Sequence, residues 1–430
     1  MLSCELVEQS KYEHMNTSSP RFHYGWLMLG MGMLAVFGSL GLARFGYAMV
    51  LPEMKEGLDI GNTEAGAILT ASLIGYLALS VLGGALATRF GPRAVITGGL
   101  AAAGIGMILT GMANGFAAVM AAQLLTGMGS GAGNIPVVGL VTSWVATRRI
   151  GAASGVIVSG SSLGLVVVGS TAPMILSRYD EGWRVCWYVF GAITIALAVL
   201  CWMLLRNSPS EKGLKPLGAS DNDPPVIRRP GTFEWSKVYR SRAVWRIGMV
   251  YIAFGLSYII YMTFFREQLA NERGYTDEMA GSLYMMMGWV SFSCGPLWGY
   301  VSDRIGRRRV LMIIYAIHAV AFSLFGLWTM PTGFMISAIL FGLTAWSIPA
   351  IMTAICGEMM GAQMAPAALG FITLFFGVGQ ALGPIIAGGM ADAAGSLLPA
   401  YLFAAGVAIA GAIGASRLKQ SSGTAPPLSS

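Results

Sequence analysis

The chain has 430 residues, of which 55% are hydrophobic and 11% are charged, and its mean hydropathy is +0.66. Soluble domains carry about 25% charged residues, so this composition excludes an ordinary soluble protein and predicts one that lies in a membrane. The net charge of +7 predicts basic loops on one side of the bilayer, not binding to nucleic acid. The five cysteines are scattered without metal-ligand spacing, and the sequence predicts no metal and no cofactor.

Twelve apolar runs, each long enough to cross a bilayer as a helix, follow a polar segment of residues 1–23 that we interpret as a cytoplasmic tail. The runs lie near residues 25–51, 64–87, 94–113, 116–143, 150–177, 183–205, 244–266, 279–301, 309–328, 333–356, 366–391 and 397–416. Residues 206–242 are hydrophilic, basic and rich in proline, which predicts a flexible cytoplasmic linker. We therefore predict an all-α membrane protein with twelve transmembrane helices in two six-helix bundles, residues 24–205 and 243–417, and a disordered tail of residues 418–430.

An internal repeat with an offset of 215 residues relates the two bundles. The charged turn at 84–93 matches the turn at 299–309, which pairs Gly84, Arg89, Gly91 and Arg93 with Gly299, Arg304, Gly306 and Arg308. The same offset pairs Gly127 with Gly342, Gly155 with Gly370 and Gly164 with Gly379. One offset shared by three separated stretches indicates a tandem repeat.

The distribution of charge predicts the orientation of the chain. On the side of the linker lie 21 Lys and Arg residues and 9 acidic residues, and on the opposite side lie 5 and 11. Lys and Arg are enriched in cytoplasmic loops, so both termini are predicted to lie in the cytoplasm. Arg44 is the one basic residue that this topology leaves within a span.

Twelve spans in two repeats, with the pattern G-x-x-x-D-R-x-G-R-x-R from Gly299 to Arg309, resemble the major facilitator superfamily of secondary transporters. The resemblance extends from about residue 24 to residue 417 and implies two pseudo-symmetric bundles that transport solute by alternating access, without enzymatic activity. The first-half turn departs from the pattern because Thr88 stands in place of the aspartate. Gln123 stands where an arginine opens the fourth span in the superfamily.

A finer resemblance concerns three tryptophan-containing stretches. They are the Tyr24-Gly25-Trp26 opening of the first span, residues 144–151 before the fifth span, and the Gly182-Trp183-Arg184 opening of the sixth. This arrangement looks like bacterial relatives of monocarboxylate transporters, which move small organic anions. The eighth span, however, contains no charged residue between Leu283 and Trp298, whereas those transporters carry charges there.

Charged residues at the cytoplasmic ends of spans are predicted to form a gate, because alternating access closes one side at a time. They are Arg89, Arg93, Arg148, Arg149, Asp303, Arg304, Arg308 and Glu358. We expect Asp303 to face the positive N-terminus of the fifth span and Arg148-Arg149. We expect Glu358 to pair with Arg304 or Arg308. The alternative is that these are solvated loop charges, whose pairs contribute about 0–1 kcal/mol each.

The predicted binding residues lie on spans expected to line a central cavity. They are Arg44, Tyr47, Asn134, Tyr258, Tyr261 and Gln380. An arginine in hydrocarbon costs at least about 2.5–3.5 kcal/mol, so Arg44 is expected to face water or a substrate carboxylate, with Tyr47 one turn further on the same face. Snorkelling of Arg44 to the interface and helix packing by the tyrosines are the alternatives.

The sequence predicts a secondary active transporter that moves a small organic anion, with a carboxylate as the expected group, as a monomer in the cell membrane. Efflux of amphipathic drugs or metabolites is a second possibility, and a non-transporting membrane sensor is a third. The coupling ion stays open because no Asp or Glu lies near the middle of a span. His318, in the ninth span, is expected to be a packed residue and not a proton relay.

Overall fold

The computed structural model describes residues 23–146, 149–219 and 238–418. Regular structure within these residues is helical, apart from one isolated β-bridge between Val145 and Leu217. Most of the two predicted tails and the middle of the predicted linker lie outside the described residues, as does Arg148.

The described residues of the N-terminal half form seven α-helices and one π-helical segment. They are α1 (Tyr24–Val36), the π-helical segment (Phe37–Phe45), α2 (Gly46–Leu58), α3 (Asn62–Phe90), α4 (Pro92–Met112), α5 (Phe116–Trp144), α6 (Ile150–Leu176) and α7 (Gly182–Leu204). A short 3₁₀ helix, Pro209–Lys212, follows. The helix α1, the π-helical segment and α2 run on without a break and together form the first predicted span.

From Arg242 onward, the described part of the C-terminal half contains eight α-helices. They are α8 (Arg242–Thr263), α9 (Phe265–Ala270), α10 (Asp277–Ser291), α11 (Cys294–Ile305), α12 (Arg307–Leu327), α13 (Pro331–Gly342), α14 (Ser347–Ala394) and α15 (Leu398–Ser416). The eighth predicted span is divided between α10 and α11. The helix α14 covers the second part of the tenth predicted span and all of the eleventh.

Ten segments of the described chain are long and apolar enough to cross a membrane. The two predicted spans that are not among them are α5, which is rich in glycine and contains Gln123 and Asn134, and the divided pair α10 and α11, neither of which is 18 residues long alone. The helical architecture of the predicted twelve-span membrane protein is confirmed, and the ten apolar segments are consistent with its span count.

The 215-residue repeat is visible in the backbone. Gly91 and Gly306 are related by this offset, and each lies between two helices with almost the same left-handed conformation, φ 83° and 91°. Such φ values favour glycine because a Cβ would clash with the backbone. The packing repeats as well, since α3 packs on α5 and α4 on α7 in the first half, as α10 packs on α13 and α12 on α15 in the second.

The two halves meet mainly through two helix pairs, α3 with α14 and α6 with α10. We call the side that carries the charged turns at 89–93 and 303–309 the basic face, and the side that carries residues 53–64, 266–278 and Asp392 the acidic face. The pairs are closely packed toward the acidic face. A Cβ on Gly66 would lie 2.3 Å from the carbonyl oxygen of Pro384, and one on Gly281 would lie 2.3 Å from that of Gly169. These contacts are related by the 215-residue offset.

Toward the basic face the described residues give no such close contact between the halves at the glycines. At Gly84, Gly155, Gly299 and Gly370, no atom of another described element lies within 4 Å of the position of an added Cβ. These positions form two pairs under the repeat, Gly84 with Gly299 and Gly155 with Gly370. The described chain is therefore closed between its halves on the acidic face and open on the basic face.

The first part of the predicted linker, residues 206–219, lies against the N-terminal half. The backbone NH of Leu217 donates to the carbonyl of Trp144 (2.7 Å), and the NH of Ala146 donates to the carbonyl of Leu217 (3.1 Å). The indole Nε1 of Trp144 donates to the carbonyl of Arg206 (2.9 Å). These bonds hold the start of the linker to the basic-face end of α5, where the sequence predicts a flexible chain.

Candidate functional site

Arg44 lies deeper in the membrane-spanning region than the sequence predicts. The first span continues beyond Pro52 to Leu58, which places Arg44 14 residues, or about 20 Å at 1.5 Å per residue, from the end of the helix. Arg44 itself belongs to the π-helical segment, a type of structure that occurs often at functional sites. Its half-buried guanidinium reaches across the middle of the protein to residues of other helices, which argues against snorkelling to the nearer interface.

The guanidinium of Arg44 joins the two halves. Its Nη1 donates to the hydroxyl of Tyr258 on α8 (3.0 Å), and its Cζ lies 5.0 Å from the ring centroid of Tyr76 on α3. This is within the range of a favourable cation–π contact. The cleft beside it is lined by Ser39, Leu40, Ala43, Arg44, Leu69, Ser72, Leu73, Tyr76, Gly127 and Ser130. Arg44 is the only charged side chain among these lining residues.

Tyr258 and Gln380 form the C-terminal side of this site. The Nε2 of Gln380 on α14 donates to the same Tyr258 hydroxyl oxygen that accepts from Arg44. The ring of Tyr258 stacks on Phe254 and Phe376, with centroids 4.7 and 5.9 Å away. Stacked rings on two sides fix the orientation of the tyrosine, so its hydroxyl is held against the arginine of the other half.

Asn134 belongs to the N-terminal side of the site. Its Nδ2 donates to the hydroxyl oxygen of Tyr76 (3.1 Å), the tyrosine whose ring contacts Arg44. The structure therefore brings four of the six predicted binding residues together, namely Arg44, Asn134, Tyr258 and Gln380. Tyr76 was not among the predictions, although its tyrosine ring within an apolar span is a recognisable signal.

Tyr47 and Tyr261 lie away from the cleft, contrary to the prediction. Tyr47 is completely buried, packs against Trp187 and donates its hydroxyl to the carbonyl of Ala65 (2.6 Å). The prediction assumed α-helical spacing from Arg44, but the π-helical segment changes the register. Tyr261 is also completely buried within an aromatic cluster, and its hydroxyl is paired with that of Ser337 (3.0 Å). Both are packing residues of their own half.

An ion-pair cluster that the sequence analysis did not predict closes the acidic face. The helix α8 ends at Thr263, and Arg266 follows in the short α9, outside the span, with 1% of its side chain exposed. Arg266 binds Glu53 of the first span through both terminal nitrogens, donates to the carbonyl of Met49 (2.7 Å) and pairs with Asp277 (2.6 Å). Burial lowers the pKa of Arg266, but hydrogen bonds and charges from Glu53 and Asp277 outweigh that effect and raise it overall.

Two further contacts join the halves on the acidic face. Lys55 and Glu267 form an ion pair with N···O 2.6 Å, in which the side chains are 14% and 6% exposed. Asp392, near the end of α14, accepts hydrogen bonds from the NH groups of Asn62 and Thr63 at the start of α3 (3.1 and 2.7 Å). A carboxylate suits a helix N-terminus, where the NH groups lack partners within the helix. Contacts between residues far apart in the sequence thus hold the two halves together on this face.

The gate pairs predicted on the basic face are not found among the described residues, which do not include Arg148, one of the partners expected for Asp303. Asp303 pairs with Arg307, one helical turn away (2.6 Å), and with no described residue of the fifth span. Glu358 pairs with Arg307 (3.0 Å) and not with Arg304 or Arg308. Both acids therefore bind Arg307, which, like Arg309, is an arginine of this turn that the prediction left out. The separation of the halves on this face explains why Asp303 does not reach the N-terminal half.

The other predicted gate residues that the structure describes lie at the basic face and form no ion pair with a described residue of the opposite half. Arg93 donates to the carbonyl of Trp202 (2.9 Å from Nε) and its guanidinium lies over that indole ring. Arg89 and Arg304 lie beside the neighbouring rings of Phe90 and Tyr300. The exposed Arg149 and the half-buried Arg308 flank the helix starts at Ile150 and Arg307.

The described residues contain neither a metal-binding cluster nor a histidine with a hydrogen-bond partner in the spans. No group of three or more His, Cys, Asp or Glu residues there has the geometry to hold a metal ion. His318 is completely buried between the rings of Phe254, Phe322 and Phe341, and neither ring nitrogen has a hydrogen-bond partner among the described residues. Its position agrees with the prediction of a packed residue.

Curated relatives cover most of the chain at low identity. A probable sulfoacetate transporter, SauU, of Cupriavidus necator is 24% identical over 66% of this chain and 66% of its own length. The hexuronate transporter of Bacillus subtilis is 22% identical over 86% of this chain and 88% of its own. Human monocarboxylate transporter 11 is 22% identical over 95% and 86% of the two chains.

Solved structures agree with the fold. An inward-facing, unoccupied bacterial homologue of the human lysosomal transporter Spinster matches with a TM-score of 0.68 and 16% identity, over 93% of this chain and 95% of the other. A point mutant of the nucleoside transporter NupG matches with a TM-score of 0.69 and 13% identity, over 91% and 99%. The family model described as the uncharacterised MFS-type transporter YbfB matches residues 36–415. The chain therefore belongs to this family of major facilitator superfamily transporters.

Proposed function

We propose that this protein is a secondary active transporter of a small organic anion, with a carboxylate bound at Arg44. The observation that carries the proposal is the position of Arg44, about 20 Å inside the first span, with its guanidinium between Tyr76 of one half and Tyr258 of the other. Substrate sites of secondary transporters lie near the midplane between the two repeats.

The charge balance of the site supports an anionic substrate. An arginine at this depth of a span requires a partner or water, and no acidic side chain lines the cleft. Only one of the guanidinium nitrogens, Nη1, has a hydrogen-bond partner among the described residues. The remaining donors suit a carboxylate, which arginine binds with two parallel hydrogen bonds. Transport of sulfoacetate, hexuronate and monocarboxylates, named for three relatives, agrees with this chemistry.

Alternating access is supported by the different packing of the two faces. The acidic face is held by Arg266–Glu53, Lys55–Glu267 and the Asp392 cap, while the basic face is open. The positive-inside rule assigns the basic face and both termini to the cytoplasm, so we infer an inward-open state in the cell membrane. In the opposite state Asp303, Arg304, Arg308, Glu358 and the first-half arginines would close the basic face. The carrier acts as a monomer in this scheme.

The proposal is tested by measuring binding and uptake with the variants Arg44→Ala and Arg44→Lys in proteoliposomes. Hydrogen bonds to charged groups contribute about 1.5–3 kcal/mol, so we expect Arg44→Ala to weaken anion binding by roughly 10- to 150-fold. Lysine cannot form two parallel hydrogen bonds to a carboxylate, so Arg44→Lys should recover little of the anion binding that Arg44→Ala loses. The matched control is Arg184→Ala, because the described partners of Arg184 all lie in the N-terminal half.

Two outcomes would contradict this function. Normal uptake by Arg44→Lys would contradict the proposal that Arg44 binds a carboxylate with two hydrogen bonds. Uptake or export of neutral or cationic amphipathic compounds in preference to acids would favour the drug-efflux alternative.

A further inference from the structure

Arg44 has no acidic partner at its own depth in the described chain. Every described acidic residue lies toward one of the two faces. The nearest along the first span is Glu53, nine residues or about 14 Å further at 1.5 Å per residue, and Arg266 already binds it. None of the residues that line the cleft is acidic. The positive charge of Arg44 is therefore not neutralised by a described side chain.

The groups that contact Arg44 are uncharged. The Tyr258 hydroxyl accepts one hydrogen bond from its Nη1, and the ring of Tyr76 lies 5.0 Å from its Cζ. The cavity beside the guanidinium has a volume of about 10 Å³, which is space for about one water molecule. A guanidinium has five N–H donors, so one hydroxyl and one water cannot replace its hydration. The half-buried Arg44 therefore depends on water that reaches it from the open basic face.

Alternating access passes through an intermediate in which both faces are closed. In that intermediate, water from the basic face no longer reaches Arg44. Without a substrate, the guanidinium would be an unpaired charge removed from water, which is costly in a span. With a carboxylate bound, the charge is neutralised and the donors are satisfied. Closure of both faces is therefore faster for the carrier that holds an acid.

A proton cannot take the place of the acid in this step. Protonation of a group beside Arg44 would add positive charge instead of removing it. The only histidine within the described spans, His318, is completely buried against the rings of Phe254 and Phe322 and does not line the cleft. Among the described residues, neutralisation of Arg44 thus depends on an anion from solution.

We propose that this protein exchanges organic acids, so that the inward movement of one acid is coupled to the outward movement of another. The inference rests on the proposed function and adds its mode of coupling, because the carrier changes state rapidly only with an acid at Arg44. Exchange of two acids of equal charge moves no net charge, so the membrane potential neither drives nor opposes it. Net transport in one direction needs the return of the carrier without an acid and is slow.

The first test compares two fluxes in proteoliposomes that contain the purified protein and a labelled acid. The probes are lactate, glucuronate and sulfoacetate. Efflux of each labelled acid is measured into medium with or without the same unlabelled acid, with valinomycin and equal K⁺ on both sides so that no membrane potential develops. The contacts with Tyr76 and Tyr258 offset part of the cost of an unpaired arginine, so we expect the external acid to accelerate efflux by about 10- to 100-fold.

The second test separates the charge of Arg44 from its hydrogen bond to Tyr258. Arg44→Gln removes the charge, so the protein without an acid should open and close about 10- to 100-fold faster than the wild type. Tyr258→Phe is the matched control, because it removes the hydrogen bond between the halves but leaves the charge in place. This control should not accelerate the change of state.

Single-molecule energy transfer between two dyes measures the rate of opening and closing. The dyes are attached at Asp180→Cys and Glu278→Cys, which are exposed positions of opposite halves on the acidic face. The four described native cysteines are buried, and Cys4 is replaced with serine.

The outcomes distinguish this inference from the function on which it rests. If acids are transported in a manner that depends on Arg44, but external acid does not accelerate their efflux, the inference is wrong and the anion carrier stands. The same conclusion follows if Tyr258→Phe accelerates the change of state as much as Arg44→Gln. If none of the three acids is transported in either mode, or if Arg44→Ala transports them normally, the proposed function fails as well.

Discussion

Replacing Arg266 with methionine should release the closed acidic face. In the wild-type protein the buried Arg266 binds Glu53 and the carbonyl of Met49 across the boundary between the halves, and Asp277 within its own half. Methionine preserves much of the apolar stem but removes the charge. Closing the face would then bring Glu53 and Asp277 together without the cation between them, whereas in the open state Glu53 is free to be hydrated. The substitution therefore disfavours the closed face selectively.

The magnitude follows from the exposure of the partners. Removing one member of a buried ion pair costs about 3–5 kcal/mol. The side chains of Glu53 and Asp277 are 30% and 28% exposed, so solvent screens part of this cost and we expect about 2 kcal/mol. At 1.4 kcal/mol per factor of ten, this shifts the ratio of closed to open acidic face by roughly 30-fold.

Distance measurements between spin labels would detect the shift. Asp180→Cys in the N-terminal half and Glu278→Cys in the C-terminal half are both exposed on the acidic face, and their separation should lengthen in Arg266→Met. Arg184→Met is the control, because Arg184 also lies at this face but bonds to Gly111 and Ala113 of its own half. An unchanged distance distribution in Arg266→Met would refute the reasoning, as would an equal change in the control.

Three further predictions concern other positions. Gly281→Leu should also hold the acidic face apart, since its Cβ would lie 2.3 Å from the carbonyl oxygen of Gly169, whereas Gly299→Leu, with open space at its Cβ, should leave that face unchanged in the same distance measurement. Asp303→Asn should lower transport while its abundance in the membrane stays unchanged. Uptake by this variant at the wild-type rate would argue against a role of Asp303 in the gate. His318→Leu should change the free energy of unfolding by less than about 1 kcal/mol. If uptake by the wild type depends on a proton gradient, uptake by this variant should depend on it equally, and loss of that dependence would indicate that His318 relays protons.

Much of the fold could be predicted from the sequence because it depends on local patterns and on the repeat. Apolar runs, the 215-residue offset and the turns at Gly91 and Gly306 are all properties of short stretches. The membership of the major facilitator superfamily was predicted from the same turns. Arg44 was recognisable from the sequence because a charged side chain within an apolar run needs a counter-ion, water or a bound ligand.

The remaining site residues depend on tertiary structure that no local pattern encodes. The direction of Tyr47 depends on a π-helical segment, and that of Tyr261 on an aromatic cluster assembled from several helices. Arg266 was counted as the end of the seventh run because the break at Phe264, which turns α9 toward the first span, has no glycine or proline to mark it. The pairing of Asp303 and Glu358 with Arg307 depends on which face of the carrier is open.

The π-helical segment Phe37–Phe45 also makes the site sensitive to chain length. A π-turn contains one residue more than the α-turn that it replaces, and one residue corresponds to about 100° of rotation around an α-helix. Deleting a single residue between Phe37 and Ala43 would allow the segment to become α-helical, but it would turn α1 against α2 by about that angle. Arg44 would then be retained in the sequence and lost from the cleft. In homologues of different length in this stretch, an aligned arginine is therefore not sufficient to infer the same anion site.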